Sequence, residues 1–237
     1  MTTDPGVIIS ILTAGRDGAI AASVSTRTLS VPRGGQVIRS SKTPEAVYLV
    51  CQGFAKAHVG TVDGARQTLA LYVPGDVFDL GAFLLGQASV ETSALTPMQL
   101  AAVPCSTLRS LIDERRDLAL ALWRRLAMQH ALLQEWTVGL GRRLALARTA
   151  HLICEVSERL SVTSPSDDLP FPLTQVELAD VLGLSPVHVN RVLQQLKGEG
   201  LIEIRNGHLR VCNRPRLIEL GDFDPTYLRR GDGEGPR

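Results

Sequence analysis

Residues 173–211 read LTQVELADVLGLSPVHVNRVLQQLKGEGLIEIRNGHLRV. Thr174-Gln175-Val176-Glu177 has the form of a capping box, in which the Thr174 hydroxyl accepts from the Glu177 amide and the Glu177 carboxylate reaches back to the cap. A short helix follows to Leu182. Gly183 permits a sharp bend, and Ser185-Pro186 opens a second helix. Ser is a favoured cap, and Pro at the first helical position gives up an N–H that would be unbonded anyway. Two short helices across a Gly-containing turn form a helix-turn-helix. Leu178, Ala179, Leu182, Leu184, Val189, Val192 and Leu196 make its inward set. Lys197-Gly198-Glu199-Gly200 ends the second helix. IEIRNGHLRV then gives two strands around Asn206-Gly207, a type I′ hairpin signal, and reads as a wing.

The outward face of the second helix carries Val187, His188, Asn190, Arg191, Gln194 and Gln195, with no acid among them. A solvated helix face usually alternates Glu and Lys. Arg matches guanine, and Asn or Gln matches adenine, at the floor of the major groove. Between Ser185 and Arg216 six Lys/Arg stand against two acids, a local charge of +4. Double-stranded DNA is the expected partner, with Val187, Asn190, Arg191 and Gln194 as base readers. The competing reading is a signalling or ligand-binding module whose winged helix docks protein.

Working outward, residues 106–161 contain a Pro-free run with apolar positions at spacings of three and four. Leu122, Leu126, Gln129, Leu133, Trp136 and Leu140 are separated by 4, 3, 4, 3 and 4. This is a heptad seam with Gln129 as a polar position, and it predicts a long dimerisation helix over 106–140. The same pattern would suit a helix packed on its own barrel. A repeat sustained over nearly three heptads favours a partner helix, hence a homodimer. Gly139 and Gly141 are expected to interrupt the helix, and a second helix runs from Arg142 to about Leu160.

Residues 26–105 read as strands and turns. Turn signals fall at Arg33-Gly34-Gly35, Gln52-Gly53, Asp63-Gly64, Pro74-Gly75-Asp76 and Thr96-Pro97. That spacing predicts an antiparallel sandwich or barrel. The expected class is α+β: a β-roll over 1–105, the helix over 106–140, a winged helix-turn-helix over 141–228 and a disordered tail over 229–237. SVTSPSDDLP (161–170) reads as a loop.

Composition bounds the rest. At roughly 150 residues per domain, 237 residues suggest two domains. Lys+Arg 25 against Asp+Glu 24 leaves +1, so any basic surface is local. Ten aromatics (2 Trp, 3 Tyr, 5 Phe) are too few for a stacking platform that binds single strands. MTTDPGVIIS has neither a basic n-region nor a long apolar h-region, and no apolar stretch has the length of a membrane span. Cys51, Cys105, Cys154 and Cys212 lie 54, 49 and 58 residues apart, without a C-x-x-C pair. Reduced thiols in a cytoplasmic protein, with no metal and no cofactor, are expected. No nucleophile–base pair or phosphate-cradling Gly loop points to an enzyme.

The winged stretch resembles the DNA-binding region of the CRP/FNR family of bacterial transcription regulators. The resemblance extends over nearly the whole chain. Gly53 and Pro74-Gly75-Asp76 resemble turns of the cyclic-nucleotide-binding-like β-roll. LGRRLALARTAHLICEV (140–156) resembles the helix leading into the reader. The resemblance implies a palindromic operator and RNA polymerase as a further partner. It places Arg191 on an Arg that bonds guanine, Val187 where many members carry a Glu, and Asn190 where some carry a Ser. Val187 accepts no hydrogen bond, so it would meet a thymine methyl. Thr174, Gln175, Ser185 and His188 would contact phosphates. In the sensor, cyclic-nucleotide binders follow the PGD turn with Gly-Glu and later an Arg-Ser pair. Here Asp79-Leu80 stands in the first place, and ASVETS (88–93) supplies Ser89 without an Arg. An unneutralised phosphate beside Asp79 would be repelled. An unidentified effector, or none, is therefore expected over a cyclic-nucleotide-dependent regulator.

Overall fold

The computed structural model describes residues 27–161 and 168–228. These form two compact units, residues 27–58 with 71–130, and residues 59–70 with 131–161 and 168–228. The start of the expected β-roll and the tail over 229–237 lie outside the described residues.

The first unit is built on two four-stranded antiparallel sheets. One has the order β1 (Arg27–Val31), β8 (Met98–Pro104), β3 (Ala46–Gln52), β6 (Val77–Phe78). The other has the order β2 (Gln36–Ile38), β7 (Glu91–Ala94), β4 (Ala55–Gly60), β5 (Arg66–Tyr72). Four of the five turn signals are crossings between the sheets rather than hairpins, and only Asp63-Gly64 joins neighbouring strands, β4 and β5. The chain crosses at Gly34-Gly35, at Gly53, whose φ is +85°, at Pro74-Gly75-Asp76 and at Thr96-Pro97. A Cβ on Gly53 would stand 2.4 Å from the Pro97 carbonyl oxygen, so both backbone conformation and space demand glycine there.

Alternation sorts the strands. Val50, Met98 and Leu100 face Ile38, Ala55 and Ala94 of the second sheet, with Phe78 at the centre. Val47, Leu49, Ala101 and Val103 face the other way, onto helices α1 (Leu80–Leu85), α2 (Cys105–Glu114) and α3 (Arg116–Arg142). The first sheet is thus buried on both faces.

The expected single helix over 106–140 is two helices. The chain breaks at Arg115, which is extended (φ −131°, ψ 94°) and forks its guanidinium onto Asp117. Helix α3 then runs through Gly139 and Gly141 to Arg142, so these glycines do not interrupt it. Gly139 is buried, and a Cβ built there would meet the Arg148 stem at an ordinary contact distance of 3.6 Å. The compact units divide at 130–131, inside α3, whereas the sequence reading divides the chain after 140.

In the second unit, α4 (Ala145–Ser161) packs on α7 (Arg214–Gly221), which was not expected from the sequence. A Cβ on Gly221 would lie 2.7 Å from the His151 amide nitrogen, so the two helices meet backbone to backbone. Helices α5 (Gln175–Leu182) and α6 (Pro186–Gly198) form the helix-turn-helix. The wing has three strands. Strands β10 (Ile202–Arg205) and β11 (His208–Val211) are joined at Asn206-Gly207, both at positive φ as a type I′ turn requires. The third, β9 (Asp168–Pro170), pairs with β11 and corrects the reading of 161–170 as loop throughout.

Candidate nucleic-acid interface

Local chemistry positions the reader. The Thr174 hydroxyl accepts from the Glu177 amide at 3.2 Å, and the Glu177 carboxylate accepts from the Thr174 amide at 2.7 Å, completing the capping box. Ser185 accepts from the His188 amide at 3.2 Å and caps α6. Both cap oxygens are used as acceptors, so both hydroxyl protons remain able to donate to a phosphate oxygen. Gly183 takes the left-handed conformation (φ +59°), and a Cβ there would stand 3.0 Å from Leu140 Cδ2. The left-handed conformation is what favours glycine at this turn, since the Leu140 side-chain end can shift.

The inward set is buried as expected, apart from Leu184, which is half-buried; Val181 and Leu193 join it. On the outer face Val187 is 79% exposed, and Arg191 and Gln194 are exposed. Among the described residues Arg191 has no hydrogen-bond or ion-pair partner. Asn190 is half-buried and donates through Nδ2 to Gln175 Oε1 at 3.2 Å. His188 is half-buried beside the cap. Three of the local arginines are engaged by acids: Arg205 with Glu203, Arg214 with Glu158, and Arg216 with Glu219. The +4 of the sequence is therefore partly neutralised at the surface.

The expected seam residues do not share one face. Leu122 is 5% exposed and packs into its own core with Leu118, Leu80 and Phe83. Leu126 lies against the same core. Gln129 donates through Nε2 to the Val77 carbonyl. Trp136 donates through Nε1 to Glu155 at 2.7 Å. Leu133 and Leu140 are exposed. Leu122 is thus buried inside its own protomer rather than on an outward seam, and the half-buried Gln129 is engaged there as well. Trp123, 60% exposed, was missed. The signal for it is a second heptad line one residue over: Trp123, Leu126, His130, Leu133, Thr137 and Leu140, at spacings 3, 4, 3, 4 and 3.

The expected effector residues are not gathered into a cradle. Leu80 is buried in the core under α3 and Ser89 is exposed. Asp79 sits at positive φ ahead of α1, and burial pushes its carboxyl up to about 6. Among the described residues no three His, Cys, Asp or Glu cluster as metal ligands. His58 is buried on β4, 3.2 Å from the Ser93 hydroxyl.

A buried polar network joins α3 to α4. Glu155, fully buried, accepts from Trp136 and from Arg159 Nη1 at 2.9 Å. Glu135 accepts from Arg143 at 2.8 Å. His151 donates through Nδ1 to the Gly221 carbonyl at 3.1 Å and meets the Tyr227 hydroxyl at Nε2. Burial beside Glu155 and Glu135 holds the Tyr227 phenol well above its ordinary range. Burial likewise pushes the Cys154 thiol up to about 12, which leaves it unreactive at neutral pH.

Known proteins match this arrangement. The cyclic nucleotide-binding domain family matches residues 28–115, and the Crp-like helix-turn-helix domain family matches residues 147–220. The nitrogen fixation regulation protein FixK of Bradyrhizobium diazoefficiens is 26% identical over 195 residues, covering 82% of this chain and 81% of the relative. FixK of Azorhizobium caulinodans is 27% identical over 203 residues, covering 85% and 80%. The solved structure of FixK2 from Bradyrhizobium japonicum shares the fold with a TM-score of 0.76 at 26% identity, covering 83% of this chain and 98% of that one. Regulators of this kind bind DNA and are not enzymes. Among the described residues no helix is long and apolar enough to cross a membrane. With the cyclic-nucleotide-binding-like β-roll, the long helix and the winged reader all in place, the chain belongs to the CRP/FNR family of transcription regulators.

Proposed function

We propose that the protein is a cytoplasmic homodimer that reads a two-fold symmetric operator with one α6 per half-site and meets RNA polymerase from there. The observation that carries this reading is the outer face of α6. It offers Val187, Arg191 and Gln194 to a groove, free of acid, with the Thr174 and Ser185 caps beside it for phosphates. Arg191 would read a guanine through two parallel contacts and Val187 a thymine methyl. Gln175 and His188 complete the phosphate set.

The dimer would form along α3 on the exposed Trp123, His130, Leu133, Thr137 and Leu140, with the half-buried Leu126 at their edge. A second copy suits this face because the repeat returns every 3.5 residues on average, as a paired helix requires. Two readers held this way would enter grooves about 34 Å apart. The β-roll would answer to an effector other than a cyclic nucleotide, or to none, since the position that the family resemblance gives to a ribose-binding Glu is here Leu80, which is buried in the core.

Selection of bound duplexes from a random library, with sequencing, tests the reading. Two matching half-sites one helical turn apart, bound with a steep negative dependence on salt, are expected. Failure to enrich any sequence, or affinity independent of salt, would favour a winged helix that docks protein.

A further inference from the structure

The last carbonyls of a helix have no partner within it and must be satisfied from outside. At the joint between α3 and α5, one side chain does this for two helices at once. Arg148, on the first turns of α4, donates through Nη2 to the Leu140 carbonyl at 3.3 Å and to the Arg143 carbonyl at 3.0 Å. Leu140 lies in the last turn of α3, and Arg143 is the first residue beyond it. Its Nη1 donates to the Leu182 carbonyl, at the carboxyl end of α5. A guanidinium is rigid and planar, so three bonds from one fork fix the two ends relative to each other. The negative ends of both helix dipoles also converge on its charge.

A small open-sided hollow of about 20 Å³ lies at this joint, lined by Trp136, Leu140, Arg143, Arg148, Leu152 and Leu182. The Val181 carbonyl is taken separately by Gln67 Nε2, at 3.3 Å. A Cβ added at Gly183 would reach van der Waals contact with Arg148 Nη1, at 3.7 Å, so the clasp lies close beside the turn of the reader.

We infer that Arg148 is a positioning residue for operator reading: by bridging the carboxyl ends of α3 and α5 it sets the angle at which α6 is presented. Arg148 touches no DNA in this scheme. The inference rests on the reading above, that α3 pairs two copies and α6 enters the groove. A rigid joint lets the second reader arrive already aligned once the first is bound; a loose one lowers its effective concentration at the second half-site.

The test uses the full chain and the operator obtained by selection. Binding is measured to a duplex with both half-sites, to one with the second half-site scrambled, and to one with the spacer lengthened by one base pair. If the wild type shows no gain from the second half-site, the proposed function fails before Arg148 is examined. For Arg148→Ala and Arg148→Gln, affinity for the single half-site should stay within about twofold of wild type. Affinity for the paired site should fall roughly tenfold or more, with a weaker preference for the native spacer. Arg148→Lys, which keeps the charge but cannot bridge three carbonyls, should fall between, and it decides the matter if the other two variants do not melt cooperatively. Equal proportional losses on both duplexes, or an unchanged paired-site affinity and spacer preference, would overturn the inference.

Discussion

The Asn190 side-chain amide donates to Gln175 Oε1 at 3.2 Å, tying the groove-facing side of α6 to the start of α5. Bidentate reading of adenine needs both ends of an Asn amide. Asn190 could offer both only by releasing Gln175. In the proposed reading, base discrimination would therefore fall first on Arg191, Val187 and Gln194, while the Gln175–Asn190 bond ties the two helices together.

Arg191→Ala should cost about 1–3 kcal/mol per half-site and relax preference at one base position. Asn190→Ala should weaken all duplexes by a similar, smaller factor, about 1 kcal/mol or less, as loss of one exposed hydrogen bond implies. Competition binding against a panel of single-base operator variants separates the two. Relaxation of a single position by Asn190→Ala, as strong as that from Arg191→Ala, would return base reading to Asn190.

Trp123→Glu and Leu133→Glu should yield folded monomers, because each puts a charge on the exposed face of α3 without touching the core. Leu122→Ala should instead lower stability by about 2–5 kcal/mol, the usual result of hollowing a packed core. Sedimentation and thermal melting read the two effects apart. Dissociation by Leu122→Ala at full stability, with intact dimers for both Glu variants, would restore the seam through Leu122.

Asp79 gives a pH dependence of fixed sign. Its carboxyl titrates near 3.8 when unfolded and at about 6 when folded. Between those values the folded state binds more protons than the unfolded one. This group's contribution to stability therefore declines as pH rises from about 4 to about 6, then levels off. Asp79→Asn should remove the decline and gain about 1 kcal/mol at neutral pH, a figure discounted for the carboxyl's partial exposure. Asn also tolerates the positive φ of this position. Denaturant titrations of both proteins at pH 4, 6 and 7.5 check this; an unchanged difference across the series would show that Asp79 titrates normally.

Gly53→Ala and Gly64→Ala separate conformation from space. Both glycines have nearly the same φ, +85° and +86°, but a Cβ at Gly64 meets nothing within 4 Å, whereas at Gly53 it meets the Pro97 carbonyl. Gly64→Ala should cost about 1–2 kcal/mol, the left-handed penalty alone. Gly53→Ala should cost roughly 1–3 kcal/mol more, since backbone must move to admit it. Equal melting temperatures for the two variants would mean that the crossing between sheets adapts freely.

Features that depend on neighbours in sequence were legible in the sequence. The Thr174–Glu177 box, the Ser185-Pro186 start and the Asn206-Gly207 turn each close within four residues, and residue type alone dictates their geometry. The winged reader and its exposed Val187, Arg191 and Gln194 followed from these. What could not be read was which of two neighbouring apolar lines on α3 turns inward. Leu122-Leu126-Gln129 and Trp123-Leu126-His130 both repeat at three and four, and the phase is set by where the sheet and Val77 lie. The helix through Gly139 and Gly141, the strand at Asp168–Pro170, and the bond from Asn190 to Gln175 share this character. Each depends on a partner distant in sequence, so only the tertiary structure decides it.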